Sequence, residues 1–208
     1  MGEKLQTANC PPEAAVRVIA CGALANEMLA IKAQANLGHL DVMCLPAILH
    51  NSPQDIPSAV ENAIVDARAH GFGSIFVGYA DCGTGGMLDR VCERHQVARL
   101  AGPHCYSFFT GNDAFNARSD EEITAFYLTD FLARQFDAFV TRPLGLDRHP
   151  ELRDMYFGNY EKLVFLAQTE DDGLTDRARR AARTLGLAFE RRFTGLGDLN
   201  AELKALAR

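Results

Sequence analysis

The residues of this chain whose types and spacing could do chemistry are first of all its cysteines, at positions 10, 21, 44, 82, 92 and 105. No two form a CxxC pair, so no short local thiol motif is present. Three of them nevertheless fall at the same kind of place. Cys21 ends the apolar run VRVIAC, Cys82 follows IFVGYAD, and Cys105 follows VARLAGPH. If those runs are strands of one open parallel sheet, their carboxyl ends share an edge, and ligands bind at such edges. Three thiolates meeting there could hold an iron–sulfur cluster with one open position, or a zinc ion whose fourth site takes water or substrate. His50 and His104, each at or after a strand-like run, could add nitrogen ligands. The cluster is the first expectation and zinc the second. The competing explanation is that cysteine often closes a strand simply as a small buried side chain. Cys10, Cys44 and Cys92, in a lead-in, a strand and a helix, are read as ordinary.

Cys82 opens a glycine-rich stretch, CGTGG, between a strand-like run and a helical one. Backbone N–H groups of Gly83, Gly85 and Gly86 could form an anion-binding concavity there, with the Thr84 hydroxyl as a further donor. The order is not GxGxxG and lacks a lysine, so a nucleotide is not implied, and glycines also serve tight turns. Together with Tyr106, this loop is the candidate for holding a cofactor or a polar ligand. At a helix N-terminus Cys82 could also act without a metal, as a nucleophilic thiolate. Glu27, near the first turn of the helix after Cys21, is a candidate general base. Asp81, beside Cys82, could be a base, but adjacent strand residues point to opposite faces. Asp130, Arg142, His149 and Tyr160 could line a pocket in an aromatic region, while His39, His70 and His95 read as surface residues.

The elements that must position these residues follow from hydrophobic patterning. Strand-like runs at 16–24, 40–46, 74–80 and 97–101 alternate with helical patterns at 23–35, 58–69 and 87–94. Such alternation is the mark of parallel βαβ units. Residues of about 112–160 interrupt it with an aromatic, mostly helical pattern. The alternation then resumes with strands at 162–168 and 187–193, a basic helix at 175–185 read as a solvated face, and a closing helix. The expectation is a single α/β domain over 1–208, an open, mostly parallel sheet with a helical insertion and a loose lead-in over 1–14.

Composition limits the partners. A net charge of −6 argues against a nucleic-acid or anionic-membrane surface. No run approaches the roughly 20 apolar residues of a membrane span, and the start of the chain lacks an apolar signal core. The expected compartment is the cytoplasm, where the cysteines stay reduced. A homo-oligomer, in the first place a homodimer, is the ordinary expectation.

The ordered segments IACGAL (19–24), LPAILHNSP (45–53), GYADCGTGG (78–86), HCYSFFTG (104–111), FYLTDF (126–131) and NYEKLVFL (159–166) resemble those of the domain of unknown function 1638 family. Members are similar in carrying a cysteine in the first, third and fourth segments, positions that carry over as Cys21, Cys82 and Cys105, and a histidine in the second, here His50. Before the last cysteine the common family form has His-Asp, where this chain has Pro103-His104. The resemblance implies an association with corrinoid-dependent methyl transfer and methylated-amine use. The expected function is thus a cysteine-ligated metal protein, with a methyltransferase or lyase of one-carbon metabolism as the expected enzyme class, acting on a small substrate beside a corrinoid protein or methyltransferase. The alternatives are a metal-free enzyme with nucleophilic Cys82, and a non-catalytic corrinoid-binding accessory protein.

Overall fold

The computed structural model describes residues 15–118 and 120–206, so Cys10 and the lead-in lie outside the described residues. The first half alternates β1 (Val16–Cys21), α1 (Ala25–Gln34), β2 (Leu40–Leu45), α2 (Ile56–Ala69), β3 (Ser74–Gly78), α3 (Met87–His95) and β4 (Ala98–Arg99). The strands form one sheet in the order β2-β1-β3-β4, and every pair is parallel. β1 lies between two partners, and its last four residues, Val18 to Cys21, are all buried. An unbroken apolar run is what a parallel strand covered on both faces requires.

Two short helices, α4 (Ser107–Thr110) and α5 (Asn112–Ala117), lead into the second half. There β5 (Ala125–Thr129), α6 (Asp130–Phe136), α7 (Arg153–Phe157), β6 (Lys162–Ala167), α8 (Asp172–Leu185) and β7 (Ala188–Phe193) build a second sheet. Its order is β5-β6-β7, again all parallel, with the central residues Leu163 to Ala167 fully buried. The last helix, α9 (Leu199–Ala205), returns to the first half: Leu199 and Leu203 join its core, and Asp198 N–H donates to Phe108 O at 2.8 Å.

The α/β class and parallel pairing match the sequence reading, but the strands divide between two sheets. The segment expected as a helical insertion contains β5, whose Phe126 and Tyr127 suit a half-buried strand. The strand expected over 97–101 shortens to Ala98–Arg99, which closes the first sheet early. Among the described residues, no helix is long and apolar enough to cross a membrane.

Candidate functional site

β1 delivers Cys21 to the carboxyl edge of the first sheet, and a 3-10 turn, Gly22–Leu24, follows at once. Glycine is required there, because a Cβ on Gly22 would stand 2.7 Å from Leu45 O and 2.9 Å from Ala47 N, where the chain leaves β2. β3 ends at Gly78, and Tyr79 to Cys82 carry the chain over the same edge. The loop after β4 runs alongside: Asp81 N–H donates to Gly102 O at 3.1 Å and Cys82 N–H to Pro103 O at 2.9 Å. This pairing lays Cys105 against Cys82.

The two sulfurs, Cys82 Sγ and Cys105 Sγ, are 2.9 Å apart, and the Cys105 N–H donates to Cys82 Sγ at 3.3 Å. Cys21 interacts with Cys105 as well. The Cys105 thiol holds the Cys21 pKa below its ordinary value, against the opposing effect of burial, with help from the Ala23 N–H and the Tyr79 hydroxyl. Contact with Cys21 and Cys82, followed by burial, pushes Cys105 well above the usual thiol range. Cys105 thus joins Cys21 and Cys82 in a row and is the member held in the protonated form. Tyr79 closes the row. Its hydroxyl is buried without a hydrogen bond of regular geometry, and burial and the nearby sulfurs keep the phenol protonated.

Cys82 is the member of the row that lines a cleft of about 550 Å³. The first half contributes His50, His104 and Tyr106 to its wall, and the second half contributes Phe126, Tyr127, Phe157 and Tyr160. The rings of His104 and Tyr106 stack at 4.8 Å, and Tyr106 stacks in turn on Tyr127 at 5.3 Å. On the opposite side Asn51 Nδ2 donates to Phe139 O at 3.1 Å, a second link between the halves. Burial of the ring lowers the pKa of His104, helped by the nearness of His50, and also that of His50, although His50 as a whole residue is exposed at the cleft mouth. Both imidazoles are thus neutral near pH 7, and each can accept a proton or offer a lone pair. A second, much smaller void of about 30 Å³ sits behind the cleft, with Cys21, Cys105, His50 and Tyr106 in its wall.

The glycine loop has a different occupant from the one expected. Its donors converge on the Asp81 carboxylate: Gly86 N–H at 2.9 Å, Gly83 N–H at 3.2 Å, Gly85 N–H at 3.3 Å and the Thr84 hydroxyl at 2.8 Å. Burial alone would raise the Asp81 pKa, but these donors outweigh it and hold it below the ordinary value. The concavity read as a cofactor cradle is therefore filled by the chain itself. The same turn carries Asp81 off the strand alternation expected to point it away from Cys82.

Glu27 does not reach the thiols. It is buried on α1 near Asp130 and Arg134 of α6, and its Oε2 has no hydrogen-bond partner. Among the other pocket candidates, Tyr160 lines the cleft. Asp130 is buried and accepts from Gln168 N at 3.1 Å and Thr169 Oγ1 at 2.6 Å. His149 is exposed beside Glu151. Cys44 is exposed on β2, and Cys92 is buried on α3. Sequence reasoning passed over Tyr79 and Tyr127. The signal for Tyr79 was its place three residues before Cys82 on the same strand exit; Tyr127 required knowing that β5 exists.

A family model described as Protein of unknown function (DUF1638) matches residues 44–203. The chain belongs to this family. The matched span takes in His50, Cys82, His104 and Cys105, and the DUF1638 match begins after Cys21. No curated protein matches the chain, and no solved structure does.

Proposed function

We propose that the protein is a thiol-dependent enzyme that acts on a small, largely apolar molecule held in the aromatic cleft, with Cys82 as the attacking sulfur. The observation that carries this reading is the row of sulfurs itself. Cys82 faces the cleft while its neighbour Cys105, 2.9 Å behind it, stays protonated and can hydrogen-bond the attacking sulfur. The stacked rings of His104, Tyr106 and Tyr127 supply a flat apolar wall, and the neutral imidazoles of His50 and His104 can take up a proton released in the reaction.

Site-resolved alkylation with iodoacetamide near neutral pH tests it. Cys82 is expected to label about tenfold faster than the more exposed Cys44, whose pKa burial still raises, and Cys82→Ser removes the fast phase. Equal labelling of Cys44 and Cys82 would reject the proposal.

A single metal ion is a second reading, favoured by the small void that Cys21, Cys105 and His50 share. The void brings together two thiols and an imidazole without Cys82, a donor set that suits zinc better than the iron–sulfur cluster expected first. The fit is incomplete. Among the described residues, no group of three or more His, Cys, Asp or Glu is arranged as a ligand set. Two thiolates on tetrahedral zinc stand about 3.8 Å apart, so the 2.9 Å Cys82–Cys105 pair would have to open by about 0.9 Å. Near-stoichiometric zinc in anaerobically purified protein, lost in Cys21→Ser, would favour this reading over the first.

A further inference from the structure

A second concavity lies away from the thiols, between α6 and α8 of the second half. It measures about 540 Å³, and four arginines line it: Arg134 from α6, Arg142 from the turn after it, and Arg177 and Arg180 from α8. The local backbone explains how they meet. α6 loses helical geometry at Gln135 (φ −114°, ψ 20°) and then winds through a π-turn over Asp137–Thr141. Arg134 stands before this irregular segment and Arg142 after it, so both reach the same groove. On α8 the i, i+3 spacing puts Arg177 and Arg180 on one face. Single π-turns within helices are frequent at functional sites.

The charges in the groove are not balanced from within. Arg134 has a loose pairing with Asp130 at 3.8 Å, and the buried Glu27 carboxyl lies near it. Among the described residues, Arg142, Arg177 and Arg180 form no ion pair with a carboxylate. The carboxylate in the wall is Asp137, which accepts a hydrogen bond from Thr141 at 3.1 Å. In a chain of net charge −6, four guanidinium groups gathered around one hollow repel one another, and Asp137 is the carboxylate that the wall offers against them. The groove has the shape and charge for an external anion. The sequence reading of α8 as a merely solvated basic face does not account for the arginines of a different helix that join it.

We infer that this groove is a binding site for a compact polyanion of the oligophosphate class, held by Arg134, Arg142, Arg177 and Arg180. Planar guanidinium forks match phosphoryl oxygens two at a time, and several forks around one hollow suit a ligand with more than one phosphoryl group. The site is independent of the thiol cleft.

Isothermal titration of the full chain with inorganic tripolyphosphate tests the inference. Saturable binding to one site is expected, weakened at least about tenfold in the Arg177→Ala/Arg180→Ala variant. Both side chains are exposed, and alanine favours the helix, so that variant is expected to keep its circular dichroism spectrum. Arg179→Ala is the control: Arg179 lies over the Phe189 ring at 4.9 Å, outside the groove, and its loss leaves the affinity unchanged. Three results would each overturn the proposal. These are an absence of saturable binding, equal affinity in wild type and double variant, and a wild-type dimer that the double variant turns into a monomer, which would make the groove an interface between copies.

Discussion

Cys82 has a φ of 49°, in the left-handed region that residues with a side chain seldom enter. Such a conformation costs on the order of 1 kcal/mol and persists when the surroundings fix it. Here the surroundings are the two backbone hydrogen bonds to Gly102 O and Pro103 O and the Asp81 carboxylate that gathers the next four residues. The strain aims the sulfur at Cys105. It follows that Asp81 is a positioning residue for the thiols rather than a base. Asp81→Ala would leave three N–H groups and a hydroxyl without their acceptor, and is expected to lower unfolding stability by about 2 kcal/mol in urea titrations. A change below about 0.5 kcal/mol would mean the loop is held by other means. The cysteine positions were legible because residues after parallel strands must share an edge. The role of Asp81 was not, because strand alternation says nothing about where a side chain points once the chain has turned.

At the scale of elements, α1 shows how a short irregularity redirects a residue. The turn Gly22–Leu24 advances about 120° per residue, against the 100° of an α-helix, so the helix starts rotated from the phase a continuous pattern implies. Glu27 then faces α6 rather than the thiols. Burial raises its pKa, and the nearby Asp130 adds to that, while its own backbone N–H and Arg134 work the other way without reversing it. A carboxyl with a raised folded-state pKa holds a proton that the unfolded chain has released, so its contribution to stability falls as pH rises above about 4.3. Glu27→Gln, which does not titrate, is expected to match wild type in Tm near pH 4 and to exceed it increasingly toward pH 7. A Tm difference independent of pH would contradict the buried carboxyl described here.

The whole molecule was legible in part. Apolar runs ending at glycine, proline or a helical pattern located β1, β2, β3, β6 and β7 to within a few residues, since parallel strands buried on both faces must be continuous in apolar character. The division into two sheets was hidden for two reasons. β4 is two residues long, too short for its pattern to show that a sheet ends there, and β5 lies in an aromatic stretch whose spacing also fits a helix. The cleft wall depends on that division, because Tyr127, Phe157 and Tyr160 meet His104 and Tyr106 only across it. The central claim is that sulfurs from two separate loops touch at this cleft. Mild oxidation with diamide, followed by peptide mapping without reduction, tests it most directly. The account predicts that Cys82–Cys105 is the first disulfide to form, each thiol losing its hydrogen to the oxidant, and that Cys105→Ser removes it. A different first pair, or six thiols left intact under conditions that oxidise a model dithiol, would contradict it.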